Sequence, residues 1–250
     1  MGWLVDETGL DKCPANYAAL TPLTALARAA DIFSNRTAVV WKTTRLTYAD
    51  YAQEVSRMAS ALTRRGVVPG DVVATLMPNI APQAVAHFGV PAAGAVLNTI
   101  NTRLDPDTVA YIFGHAGAKV VLVDSAFVGL AEAAIARMEG PPPQIVEVVD
   151  HGYAASGRHV TYDQMMATGD PDAAWIYPQD EWESIAINYT SGTTGRPKGV
   201  VVHHRGAYLA GPASVMAWRM QVFPVYLTSC RCFIATAGAM LGCCRCWAGR

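Results

Sequence analysis

Between Ser184 and Val202 the chain reads SIAINYTSGTTGRPKGVVV, and the middle of that string carries the residues best suited to chemistry. Thr190, Ser191, Gly192, Thr193, Thr194 and Gly195 gather hydroxyls and glycines into one short turn, and Arg196, Pro197, Lys198 and Gly199 follow. Phosphate needs several donors delivered close together without side-chain obstruction. Gly192 and Gly195 let backbone N–H groups converge into an anion nest, and the neighbouring hydroxyls add donors at the same place. Lys198 brings a mobile point charge for the outer phosphates, while Pro197 restricts the flexing of the loop. The order differs from the P-loop of NTPases, in which Lys directly follows Gly, precedes Ser or Thr and opens a helix. Arg196 and Pro197 intervene before Lys198 instead, and Val200, Val201 and Val202 favour a strand.

The elements that must position this turn can be read around it. Ile185–Tyr189 is a strand candidate leading into the turn, and Val200–Val202 leads out. Upstream, Thr21-Pro22 pairs a capping hydroxyl with a proline at the first helical position, and the helix is expected to run through Leu23, Leu26 and Ala27 to about Phe33. Val39–Trp41 and Arg45–Thr47 read as a short strand pair across Lys42-Thr43-Thr44. Thr47 then caps an amphipathic helix with Tyr48, Tyr51, Ala52, Val55, Met58, Ala59 and Leu62 on one face, ended by Gly66. Val72–Met77 is a buried-strand candidate, and Ile80–Phe88 is expected to be helical, with Pro91 and Gly94 interrupting the chain beyond it. Asp105-Pro106 starts a helix carrying Val109, Ile112 and Phe113. Lys119–Asp124 and Gln144–Val149 are further apolar strands, whereas the polar stretch 150–180 is expected at the surface. Strands separated by helices predict an α/β fold of layered helices and mostly parallel sheets.

Composition narrows the function classes. The chain has 250 residues, 52% apolar and 16% charged, which is globular in character. A net charge of −1 removes the electrostatic basis for nucleic acid or an anionic membrane as partner. The run Ile80–Ile100 is broken by Pro82, Gln83, His87 and Pro91, so no membrane span is expected. The acidic start MGWLVDETGLDK lacks an apolar run, and a cytoplasmic location is the resulting expectation. The cysteine spacings (Cys230, Cys232, Cys243, Cys244, Cys246, with Cys13 alone) fit neither a disulfide framework nor a common zinc pattern, so no metal site is expected.

The string YTSGTTGRPKGV resembles the signature of the adenylate-forming (AMP-binding) superfamily, which includes acyl-CoA synthetases, luciferases and peptide-synthetase adenylation domains. TPLTALARAADIFSNRTAVVW, RLTYADYAQEVSRMASAL, VVPGDVVATLMPN and GAVLNTINTRLDPDTVAYIFGHAGAKVVLVD resemble the early part of the same enzymes, so the likeness covers roughly residues 17–227. The stretch Val96–Leu104 is most similar to the branch acting on fatty, aromatic or short thioether acids. The resemblance implies an incomplete amino-terminal domain of such an enzyme over residues 1–227. It also implies ATP-dependent activation of a carboxylic acid to an acyl-adenylate and then to acyl-CoA, with ATP, Mg²⁺ and coenzyme A required. Thr190, Ser191, Gly192, Thr193, Thr194, Gly195 and Lys198 would then be the ATP phosphate loop. The family's acidic Mg²⁺-binding residue, ribose-binding Asp, hinge and catalytic Lys would belong to later segments, so catalytic residues are not assigned and the chain is expected to be inactive. The alternative reading is a non-catalytic nucleotide-binding or interaction fragment.

Two other strings could mislead. Thr168-Gly169-Asp170 copies a ribose-binding triplet of the family but precedes the phosphate loop, and is read as a turn after a short helix. His203-His204 suggests a metal pair, yet adjacent strand residues face opposite ways, and a structural role is expected. After Leu227 the resemblance stops, and TSCRCFIATAGAMLGCCRCWAGR has no useful periodicity. With permitted codons, a shifted frame across Ser229–Gly242 can be read LPMFHCNGWCYAW, which resembles the segment the family carries at this point. Residues 228–250 are therefore expected to be a non-family tail translated out of frame.

Overall fold

The computed structural model describes residues 8, 9, 11–150, 153–190 and 196–227. Thr21 caps helix α1 (Pro22–Ile32), its hydroxyl accepting from the Leu23 N–H at 3.3 Å. Strands β1 (Thr37–Trp41) and β2 (Thr44–Thr47) form an antiparallel hairpin. Helix α2 (Tyr48–Arg64) opens with a capping box, in which Thr47 and Asp50 satisfy each other's backbone N–H groups. Strand β3 (Val72–Leu76), helix α3 (Ala81–Ala92), β4 (Val96–Thr99), α4 (Pro106–Ala116) and β5 (Ala118–Asp124) come next in regular alternation. Then come α5 (Val128–Ile135), β6 (Gln144–Val148), β7 (Val160–Thr161), α6 (Tyr162–Ala167), β8 (Ser184–Thr190), β9 (Lys198–His203) and α7 (His204–Ala217).

Seven strands form one sheet in the order β7-β6-β5-β3-β4-β8-β9, parallel throughout except for the β8–β9 pair. Side chains alternate across it, and each face is covered. Val73, Val120, Leu122, Val146 and Val148 join residues of α1, α2, α3 and α6 in one core. Ala74, Leu76, Val121 and Val123 meet Val109, Ile112 and Phe113 of α4 and Val128, Ala131 and Ala134 of α5 in the other. The expected α/β layering with mostly parallel strands is thus the observed architecture.

Three departures have physical reasons. Pro91 does not stop α3, because it lies in the last turn and removes only the donor that would meet the His87 carbonyl. The stop comes at Gly94, whose φ of 72° suits the turn into β4. Strand β4 and helix α5 carry short apolar runs whose period is too brief to read alone. Finally, stretch 150–180 is not merely surface. Met165 and Met166 of α6 are buried, Trp175 Nε1 donates to Ser56 Oγ at 2.8 Å, and the Ile176 N–H donates to the Ala92 carbonyl.

Thr168-Gly169-Asp170 does form the expected turn at the end of α6, with the Thr168 and Gly169 N–H groups returning to Met165 and Met166. Gly169 sits against α2 so closely that a Cβ would stand 2.1 Å from the Arg57 carbonyl oxygen. The obstacle is helix backbone, which cannot swing aside. Gly169→Ala should therefore lower stability by about 1–3 kcal/mol through overpacking, read as a lower urea midpoint. An unchanged midpoint would show that α6 does not press on α2 in solution.

Candidate phosphate-binding site

In an open parallel sheet, ligands bind beyond the carboxyl ends of the strands, where the chain reverses its direction of winding. From β3 the chain crosses to β4 on one side and then, through α4, to β5 on the other, so β3 marks that reversal. Strand β8 is parallel to β4, which places its carboxyl end, Thr190, along the same edge. Thr190, the first residue of the turn singled out by its residue types, therefore lies there.

Thr190 pairs directly with Lys198 across the β8–β9 ladder. The hairpin therefore closes at the two residues that bracket the turn, and both are exposed. Lys198 enters no ion pair among the described residues. Of the predicted phosphate loop, Ser191, Gly192, Thr193, Thr194 and Gly195 lie outside the described residues. The structure thus brings Thr190 and Lys198 together as the mouth of the loop.

β8 is suspended from β4 by few backbone contacts. One ladder pair, Leu97↔Ala186, joins the strands, and side chains take over beyond it. Asn98 Nδ2 donates to the Ile187 carbonyl at 2.8 Å, and Thr99 Oγ1 donates to Asn188 Oδ1 at 2.8 Å. Asn98 and Thr99 are buried, where a missing partner is costly, so these bonds hold the loop-bearing strand in register. The sequence reading missed this pair, although two polar residues inside the apolar run VLNTI were the available signal.

A second set of contacts reaches β8 from α4. Tyr189 Oη lies 2.7 Å from His115 Nδ1, and the Tyr111 ring meets Tyr189 edge-on at 6.5 Å. The Arg196 guanidinium stands 5.7 Å from the centroid of Tyr111. Burial, with the neighbouring Tyr111 phenol adding to it, pushes the Tyr189 phenol up to about 12. Tyr189 therefore keeps its proton at neutral pH and can donate it to His115.

His203 and His204, at the junction of β9 and α7, make structural contacts as expected, but by a different geometry. His203 ends the strand and caps α7, its Nδ1 accepting from the Gly206 N–H at 2.8 Å. His204 already belongs to the helix and is buried, with Nδ1 2.8 Å from Thr21 Oγ1. The opposed strand faces assumed from sequence do not apply, because the strand ends between the two residues.

The AMP-binding enzyme family model matches residues 26–248, and the chain belongs to that family. The matched span includes most of residues 228–250, which lie outside the described residues. The chain is 43% identical over 235 residues to a peroxisomal acetate/butyrate–CoA ligase (AAE7) of Arabidopsis thaliana, covering 89% of this chain and 41% of that protein. It is 40% identical over 237 residues to a peroxisomal trans-cinnamate:CoA ligase of Petunia hybrida, covering 88% and 41%. The chain therefore spans well under half the length of these relatives. Among solved structures, the inhibitor-bound N-terminal domain of FACL13 from Mycobacterium tuberculosis superposes with a TM-score of 0.75 at 26% identity, over 91% of this chain and 57% of that one.

These relatives correct the cytoplasmic expectation, since both ligases carry peroxisomal names. The inference failed because lack of an apolar leader bears on secretion only, whereas peroxisomal addresses are short receptor-read motifs that hydropathy does not register. Among the described residues no helix is long and apolar enough to cross a membrane.

Burial pushes His204 down to about 4, with nearby Glu183 opposing the shift, and burial likewise pushes His87 to about 4. An unfolded chain binds these protons near pH 6.5, so it holds more protons than the folded chain below that value. The histidines' contribution to stability is present above pH 6.5 and is lost as pH falls toward about 4. Urea midpoints should drop across that window, and His204→Asn should flatten part of the drop. An identical pH profile in the variant would show that His204 titrates normally.

Proposed function

We propose that the loop from Thr190 to Lys198 binds the triphosphate of ATP, and that this chain carries the amino-terminal part of a carboxylic acid–CoA ligase. The observation that supports this best is the Thr190–Lys198 pairing, which closes the signature string YTSGTTGRPKGV at the carboxyl edge of a parallel sheet. In the reaction proposed, a substrate carboxylate oxygen attacks the α-phosphorus of ATP and pyrophosphate leaves. The thiol sulfur of coenzyme A then attacks the acyl carbon of the adenylate, and AMP leaves. Thr190, Ser191, Gly192, Thr193, Thr194 and Gly195 would supply donors to the phosphates and Lys198 a positive charge, orienting the triphosphate and compensating charge on the departing pyrophosphate.

The relatives are named for acetate, butyrate and trans-cinnamate, which supports a short-chain or aromatic acid as substrate, and their names also support a peroxisomal location. Mg²⁺ ordinarily binds through one or two carboxylates together with substrate phosphates. The described residues hold no group of three or more His, Cys, Asp or Glu side chains fit for a metal ion. By resemblance the acidic residue that helps hold Mg²⁺ belongs to a later segment of such enzymes, where the ion would be shared with the nucleotide phosphates. The complete two-step reaction is proposed for a protein with the full length of these relatives. For the 250-residue chain we propose nucleotide binding without turnover, with residues 228–250 as an out-of-frame tail that sequencing of the gene across Met220 to Arg250 would confirm or remove.

Titration calorimetry with ATP tests the site. The chain should bind ATP, and Lys198→Ala should weaken binding by about tenfold or more, as expected for a lost charge-assisted contact. Unaltered affinity in the variant would remove Lys198 from the site, and absent binding in the parent chain would sink the phosphate-loop reading. Acid-dependent pyrophosphate exchange by the chain alone would show that it activates the acid unaided.

A further inference from the structure

We infer that Tyr111 and His115 of α4 latch the two ends of the loop between β8 and β9, acting as positioning residues for the nucleotide site, an inference whose functional half rests on the ATP reading above.

The loop enters after Tyr189 and Thr190 and leaves through Arg196 and Pro197 into Lys198. Both ends are drawn to one helix. On the entry side, Tyr189 Oη is 2.7 Å from His115 Nδ1, and the two rings meet edge-on with centroids 5.7 Å apart. On the exit side, the Arg196 guanidinium lies 5.7 Å from the Tyr111 centroid, within the range of cation–π attraction. Tyr111 and His115 are one helical turn apart on the same face of α4, with their rings 5.3 Å from each other. The helix that carries them is fixed by Val109, Ile112 and Phe113, all fully buried in the second core.

A Gly- and Thr-rich loop is costly to order around a ligand, and fixing its ends beforehand reduces that cost. The choice of an aromatic ring as partner for Arg196 matters as well. A carboxylate would neutralise the guanidinium, whereas a ring leaves its positive charge in place beside Lys198. Arg196 makes no ion pair among the described residues. The latch thus holds the loop ends while preserving a positive potential where phosphate would sit. Tyr111 and Tyr189 also pack against the second core, whereas His115 is exposed, so the test must separate the ring's hold on the loop ends from ordinary packing.

Hydrogen exchange on the intact 250-residue chain without nucleotide tests the latch, read on peptides covering residues 190–198 and, as an internal control, on peptides from α2. Tyr111→Leu should speed exchange in the loop peptides by about two- to fivefold and leave α2 unchanged, while Tyr111→Phe, which keeps the ring, should behave like the parent. Tyr189→Phe, which removes only the hydroxyl on His115, should loosen the same peptides. ATP affinity should fall by a similar factor in Tyr111→Leu and recover in Tyr111→Phe. Loop exchange unchanged in Tyr111→Leu would overturn the latch. So would equal acceleration in Tyr111→Phe, or acceleration spread uniformly into α2, since either would make the ring ordinary packing. If the parent chain fails to bind ATP while exchange shows the expected pattern, the latch stands and the nucleotide reading falls.

Discussion

A strand buried on both faces must find partners for every backbone N–H and C=O along both edges, and β3 is placed under that demand by its composition. Val73, Ala74, Thr75 and Leu76 are almost fully shielded from solvent. The demand is met by β4 on one side and β5 on the other, both parallel to β3. Parallel pairing forbids tight hairpins, so each connection must carry a helix across a face of the sheet. Helix α3 covers one face and α4 the other, and the winding reverses at β3 as a result. The location of the candidate site, beyond the carboxyl ends of the strands, is thus a consequence of how the central strand is satisfied.

The outer part of the sheet is built differently. β8 and β9 are joined by an antiparallel hairpin, and their link to the parallel core narrows to one ladder pair plus bonds from Asn98 and Thr99. A second tether runs from Thr21 to His204, joining the cap of α1 to the first turn of α7. Arg205 pairs with Glu181 close by, and Glu181 also accepts from the Leu20 N–H at 3.0 Å. Side-chain hydrogen bonds to buried groups therefore supply much of the register that a longer ladder would otherwise provide.

Polar groups deep in the fold are handled consistently. Glu147 is wholly shielded from solvent, which pushes its carboxyl up, but hydrogen bonds from Ser156 and from Ser125 outweigh burial and hold it below the usual range. At His87 the Gln83 carbonyl and at His204 the Glu183 carboxylate favour the charged form, but burial outweighs them and holds both rings low, at about 4. The difference lies in how much favours the charge: Glu147 gathers several donors, whereas the favourable neighbour at each histidine does not offset burial.

Local signals in the sequence determined a good deal of this protein. The caps at Thr21, Thr47 and Asp105 each start a helix where a short polar side chain precedes an apolar period, and the apolar runs of β3, β5 and β6 became the interior of the sheet. The strands that bracket the Gly- and Thr-rich string, ending at Thr190 and starting at Lys198, were legible because apolar runs flank it on both sides in the chain. Tertiary structure alone decided what depends on residues distant in sequence. Asn98 and Ile187, Tyr189 and His115, Gly169 and Arg57 meet only because the parallel crossovers bring remote segments together. The same holds for stretch 150–180, whose polar composition concealed Met165, Met166 and Trp175 at a helix interface. Periodicity and capping act over a few residues and can be read from the string, whereas contact across the sheet depends on strand order, which no local pattern encodes.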